Sequence, residues 1–314
     1  MRPHVIVNAR AAKFVRDPGR LRGMVEAAPG ASIHATDSFE ALAAACAAIA
    51  QDDPSLVVLC GGDGSAMAGV THLLRAYGDR PLPTICLAPG GHSCTVARNW
   101  GPLRRDPRRH LAEVLSLASS GRLREVRRPT LRVEEADGTS RVGFIFGTGL
   151  VASFFEAFYE RGGGGYGQAS HMIARIVFGS FVGGPLARRV LTPMPCTLSI
   201  EGRPLPNPAF TLIVCAVVKD LGLRLRVPHR AAEDPSRPHL VASSLGLSEC
   251  GLQYPRVLRG RPLIDGRTVD RLVEEFDVLF STDPGAYVLD GDLLHTSRVT
   301  VRAGPEVRMA SLPG

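Results

Sequence analysis

Five residues, Gly61-Gly62-Asp63-Gly64-Ser65, follow the apolar run Leu56–Cys60 and precede a helical pattern over Ala66–Tyr77. Strand, glycine-rich turn and helix in that order present backbone N–H groups and a helix N-terminus to an anion, phosphate above all. The glycines let the backbone come close, and Ser65 adds a hydroxyl donor. Asp63 is a charge that would repel phosphate, so it fits one of three other roles: capping the following helix, binding Mg²⁺, or accepting a proton. A plain Asp-Gly turn that caps a helix accounts for the tetrapeptide GGDG equally well. No Gly-Lys-Ser/Thr follows, which excludes the Walker motif. A second glycine pair, Gly90-Gly91, closes the apolar run Pro83–Leu87, with His92 and Cys94 just behind it. Late in the chain stands Asp290-Gly291-Asp292, after Tyr287-Val-Leu.

These turns need a frame. His4–Val7, Leu56–Cys60 and Pro83–Leu87 read as buried strands, separated by helical patterns. Asp37, with Glu40 three residues on, reads as a capping-box start for a helix through Phe39–Gln51. Strands separated by helices predict a parallel sheet with right-handed crossovers. The pattern changes near Arg127-Arg128-Pro129. Period-two segments follow: Leu131–Glu134, Thr197–Glu201, Phe210–Val218, His239–Ala242 and Thr300–Arg302. One helical interlude, Ser153–Arg161 and Gln168–Phe181, straddles Gly162–Gly165. The expected fold class is therefore α/β: a parallel α/β domain over residues 1–128, then a mainly antiparallel β-sandwich over 129–314. The last ten or so residues are expected to pack back on the first domain.

Composition narrows the function classes. With 314 residues, 45% of them hydrophobic, the chain can build ordinary cores. Its longest apolar stretches fall well short of the ~20 residues of a membrane span. No secretory signal is visible. Seven cysteines show no CxxC spacing, as expected of reduced thiols in a cytosol rather than of disulfides or zinc. The net charge is +7, and of 37 basic residues only Lys13 and Lys219 are lysines. Eight arginines crowd residues 104–128 with no aromatic residue among them. That argues against a nucleic-acid surface, which would interleave stacking rings. It predicts attraction to anionic lipid instead.

The ordered motifs resemble the diacylglycerol kinase catalytic-domain family, which includes diacylglycerol, sphingosine and bacterial lipid kinases and is distantly related to NAD kinases. Gly61–Ser65 is similar to its GGDG[TS] signature. Val5-Ile6-Val7-Asn8-Ala9-Arg10-Ala11 resembles the opening strand and loop, Pro89–Arg98 the second glycine motif, and Asp290-Gly291-Asp292 the late DGE motif. The resemblance implies an NAD-kinase-like α/β domain and an ATP-dependent lipid kinase, with ATP and Mg²⁺ as cofactors. It implies that Asn8, Thr36, Gly61, Gly62, Asp63, Gly64, Ser65 and His92 contact the nucleotide. Asp292 would be the base for the lipid hydroxyl, with Asp63 a second catalytic acid. The metal-site segment corresponds to Ala231–Ser236, with Asp234 as the candidate ligand. A lipid at the membrane surface would be the partner, for a cytoplasmic protein in peripheral contact with the inner face; oligomeric state is left open.

This sequence also departs from the family pattern. Ala9 and Ala12 replace a proline and a glycine, His92 a threonine, Cys94 an asparagine, and Asp292 a glutamate. Two alternatives therefore stand beside the kinase: a nucleotide- or lipid-binding protein without catalysis, and an NAD-kinase-like enzyme. His92 could equally cap the helix behind Gly90-Gly91.

Overall fold

The computed structural model describes residues 2–313. The chain divides into two compact units. Unit 1 holds residues up to Arg128 together with Glu306 onward, and unit 2 holds Pro129–Pro305.

Unit 1 begins with β1 (His4–Asn8), α1 (Ala12–Arg16), α2 (Gly19–Glu26) and β2 (Ser32–Thr36). It continues with α3 (Phe39–Asp52), β3 (Leu56–Gly61), α4 (Asp63–Tyr77) and β4 (Thr84–Pro89). α5 (Thr95–Trp100), α6 (Pro107–Ser119) and β5 (Arg124–Arg128) follow. The first four strands run parallel in the order β2-β1-β3-β4. β3 and β4 are buried at every position, which is why they read as unbroken apolar runs. Two boundaries differ from the sequence reading. Ser38, not Asp37, caps α3, its hydroxyl accepting from Ala41 N–H at 3.1 Å. α4 starts at Asp63 rather than Ala66, so the tail of the glycine motif is already the first helical turn.

Unit 2 opens with the strands β6 (Leu131–Glu135), β7 (Ser140–Gly143) and β8 (Ile145–Gly149). Three helices follow: α7 (Leu150–Tyr159), α8 (Tyr166–Val182) and α9 (Pro185–Leu191). Next come β9 (Met194–Ile200), β10 (Arg203–Pro204), β11 (Ala209–Phe210), β12 (Leu212–Ala216) and β13 (His239–Ser243). α10 (Leu247–Leu258) was not foreseen, because Gly251 and Pro255 interrupt its helical pattern. β14 (Val269–Leu272), β15 (Glu275–Phe280), β16 (Gly285–Leu289), β17 (Asp292–Thr296) and β18 (Arg298–Ala303) complete the unit. One sheet runs β10-β9-β15-β18-β6-β7 and the other β14-β13-β12-β8-β16-β17, with antiparallel pairing throughout. Phe146 of the second sheet meets Phe276 of the first with ring centroids 5.6 Å apart, so the two inner faces share one core.

The chain then returns to unit 1 as β19 (Val307–Ser311), parallel to β4 and antiparallel to β5. It fills the place between them in the first sheet.

His110 on α6 ties the underside of unit 1. It is buried, donates from Nε2 to Leu87 O at 3.1 Å, and accepts Arg104 N–H at Nδ1. Burial pushes its pKa down to about 4. The unfolded chain, with a value near 6.5, therefore binds the extra proton between pH 6.5 and 4. Stability is fully present above that window and falls as pH drops through it, by about 3 kcal/mol for this group. Chemical denaturation at pH 7 and pH 4.5 should show most of that loss in the wild type and little of it in His110→Gln.

Candidate functional site

The glycine loops of unit 1 are built backbone against backbone. Gly90 and Gly91 N–H both donate to Gly61 O, at 2.8 and 2.9 Å. A Cβ on Gly91 would stand 2.5 Å from Gly62 Cα, and one on Gly90 would stand 2.9 Å from Gly61 Cα. No side chain fits between the two turns, which explains a glycine pair in both motifs. Gly62 differs: a Cβ there would rest against Gly91 Cα at an ordinary 3.5 Å, without a clash.

Asn8, at the end of β1, donates from Nδ2 to Ser65 Oγ at 2.8 Å, and Arg10 N–H closes a turn onto Asn8 Oδ1. Ser65 Oγ also accepts Gly62 N–H, at 3.4 Å. Three predicted contacts, Asn8, Gly62 and Ser65, are thus joined by hydrogen bonds at the start of α4. The first N–H groups of that 15-residue helix have no intrahelical partner and carry the positive end of its dipole. Such an N-terminus is able to hold a phosphate.

Other predicted residues take different roles. Thr36 is buried and turns its hydroxyl back to Val7 O, at 3.5 Å, while its carbonyl accepts Ala9 N–H. It fixes the β1–β2 ends. His92 is exposed and accepts at Nε2 from Arg16, at 2.9 Å. It does not cap α5; Cys94 holds that position, with φ +48°. Burial raises the Cys94 thiol's pKa and leaves it a filler under the loop.

Asp63 has a structural role that the motif did not show. Its Oδ2 accepts Thr95 N–H and its Oδ1 accepts Val96 N–H, both at 2.9 Å. The carboxylate caps the helix of the second glycine motif rather than only its own. Burial raises its pKa, while the two amides pull the other way. Each oxygen thus accepts one amide of the second motif, and through them Asp63 couples the two loops.

Lys13 escaped the motif reading. Its Nζ donates to Pro89 O at 3.2 Å and Arg105 O at 2.8 Å, and its N–H donates to Gly90 O. The available signal was its rarity: one of two lysines where arginine is the rule. A compact ammonium can sit between two carbonyls where a planar guanidinium fits poorly.

In unit 2 the DGD motif splits by function. Asp290 and Gly291, with φ +50° and +95°, form a two-residue hairpin turn between β16 and β17. Asp290 is buried and accepts from Phe144 and Ile145 N–H. Asp292, next in line, stands exposed at the first position of β17. Tyr159 of α7 donates to Gly291 O at 2.7 Å, fixing the hairpin tip. Its own pKa is raised, first by burial and then by the nearby Asp292 charge.

Asp234, the expected metal ligand, is bonded within its own turn. That carboxylate caps its own turn, accepting Ser236 N–H at 2.9 Å and Ser236 Oγ–H at 2.7 Å. The carboxylates of Asp63 and Asp234 are thus both engaged in local hydrogen bonds, and Mg²⁺ is treated below as part of the nucleotide substrate. Among the described residues, the three possible ligands that lie together are His229, His239 and Asp270. Arg230 N–H faces His239 Nδ1, so the imidazole proton sits on Nε2 and donates to Asp270 Oδ1 at 2.7 Å. His239 and Asp270 thus form a hydrogen-bonded pair.

Residues 2–126 match the family model of the diacylglycerol kinase catalytic domain, and the resemblance carried by the motifs is borne out there. Similar solved structures include a diacylglycerol kinase from Bacillus anthracis str. Sterne, 13% identical, with a TM-score of 0.62 over 99% of this chain and 97% of that one. Another structure from the same strain, provisionally given the same enzyme name, is 14% identical with a TM-score of 0.67, covering 99% and 96%. At such identities the likeness is one of fold. None of the curated proteins matches the chain.

Proposed function

We propose that the protein is an ATP-dependent lipid kinase, transferring the γ-phosphoryl group to a hydroxyl of a diacylglycerol- or sphingoid-like lipid. The observation that carries this reading is the pair of glycine loops locked at the N-terminus of α4, with Asn8 and Ser65 bonded across them. Phosphoryl transfer asks chiefly for positioning and charge neutralisation. Here the α4 amides and the Ser65 hydroxyl hold phosphate oxygens, with Mg²⁺ arriving on the nucleotide. Asp63 keeps the second loop in register, and Asp292 takes the acceptor's proton.

Purified protein incubated with γ-labelled ATP, Mg²⁺ and a total lipid extract should yield a labelled organic-soluble product. Firm ATP binding with no labelled lipid would replace the kinase by a nucleotide-binding protein. Gly62→Val tests the nucleotide site within the same preparation. A Cβ at Gly62 meets only Gly91 Cα, at an ordinary 3.5 Å, so the fold is expected to survive while the branched side chain crowds the helix N-terminus. ATP affinity by calorimetry should fall at least tenfold; unchanged affinity would place the nucleotide elsewhere.

A further inference from the structure

Unit 2 carries an apolar surface that its own core does not use. Phe178, Phe181 and Val182 of α8, Leu252 of α10 and Ile264 each leave more than half of their surface exposed, up to 70% for Phe178. They adjoin one another. Phe178, Phe181 and Val182 share a helix face at i, i+3 and i+4, and Arg175 lies on the same face. A Cβ on Gly251 would stand 2.8 Å from the Phe181 ring, so α10 brings Leu252 beside α8. Gln253 bonds both the N–H and the carbonyl of Ile264, at 3.0 and 3.1 Å, and holds that residue against α10.

The rim is cationic. Arg175 and Arg188 belong to α8 and α9, and Arg256, Arg259 and Arg261 follow Leu252 in the chain, Arg256 and Arg259 also donating to Pro262 O and Pro255 O. The Arg188 guanidinium lies 2.8 Å from a Cβ built on Gly183, just past Val182. Among the described residues none of the five forms an ion pair, whereas the neighbouring acids Glu249 and Asp265 are both taken by Arg267. α8 and α9 contain no acidic residue at all.

We infer that this face of unit 2 docks the protein on an anionic bilayer, the apolar side chains entering the headgroup region and the arginines pairing with lipid phosphates. Exposed apolar patches of this kind with a polar border mark interaction sites, and amphipathic helices lie in a membrane surface by this division of labour. No helix of the described residues is long and apolar enough to cross a membrane, so the contact is lateral. A second copy of the chain is the poorer occupant, since a twofold contact would bring these arginines, none of them ion-paired among the described residues, toward their own copies. The inference extends the lipid-acceptor reading, on which its physiological sense rests. It also moves the contact away from the Arg104–Arg128 cluster of unit 1, where Arg104, Arg108 and Arg127 are engaged by Glu113, Asp106 and Glu306.

The test is sedimentation of the full chain with phosphatidylcholine vesicles, with and without phosphatidylglycerol, in the absence of nucleotide. Wild type should bind only the anionic vesicles, and less so in high salt. The double variant Phe178→Ser/Leu252→Ser should bind at least tenfold more weakly, and Arg175→Gln/Arg188→Gln likewise. Arg105→Gln/Arg109→Gln, in unit 1, should stay within twofold of wild type. Wild-type binding by the Phe178/Leu252 variant would overturn the inference, as would a loss confined to the unit 1 variant. So would a wild-type dimer in analytical ultracentrifugation that the Phe178/Leu252 variant converts to monomer. Vesicle binding by a protein that labels no lipid would sink the kinase reading and leave the docking surface standing.

Discussion

Asp292→Asn should retain ATP affinity and lose roughly 100- to 10,000-fold in turnover, the usual worth of a general base. The side chain is exposed at the tip of a hairpin that other residues hold. Asp290 and Gly291 supply the left-handed turn, Asp290 is anchored by Phe144 and Ile145 N–H, and Tyr159 holds Gly291 O. Replacing Asp292 by its isosteric amide therefore removes basicity without moving the hairpin. Asp292→Glu separates the two readings of this chain. If a working base sits one methylene short, the longer acid should match or raise the rate. If the protein has ceased to be a kinase, neither form will label lipid, although both will bind ATP. A large drop in ATP affinity on Asp292→Asn would contradict the assignment altogether.

The local parts of this site were legible because they are local. Buried β3 and β4 need unbroken apolar runs, and the turns after them need glycine where backbones touch, so strand and motif coincide in sequence. The DGD turn is likewise written in two consecutive residues with positive φ. What could not be read depends on partners far along the chain. β5 is Arg124-Glu-Val-Arg-Arg, mostly exposed at the edge of its sheet, and looks like a solvated charge run until β19 pairs with it from nearly two hundred residues away. Asp63 shows the same limit. Its motif suggests a catalytic acid, and only the position of Thr95 and Val96, thirty residues on, shows what its oxygens do. Lys13 is silent in the motif for the same reason: its acceptors belong to β4 and to the segment before α6.

Asp63→Asn should be at least as damaging as Asp292→Asn, but by a different route. A carboxylate can accept both the Thr95 and Val96 amides, one on each oxygen. An amide can accept only one of them, and its NH₂ then faces the other N–H donor, leaving a repulsive pair where burial is deep enough to raise the carboxyl's pKa. The start of α5 should detach from the GGDG turn, and with it the register in which Gly90 and Gly91 rest on Gly61. Three readouts follow. ATP affinity should weaken at least tenfold, turnover should fall by 100-fold or more, and hydrogen exchange at Thr95 and Val96 should accelerate. A base acting on the lipid hydroxyl would give the opposite pattern: lost turnover with ATP affinity and Thr95 protection intact. Asp63→Glu adds a control, because it keeps the charge and both acceptors while lengthening the reach. If Asp63 is a coupling residue, the longer side chain must push two touching backbones apart, and ATP affinity should again fall. If it were a base with room to move, Asp63→Glu would bind ATP like the wild type, and the role assigned here to Asp63 would have to be abandoned.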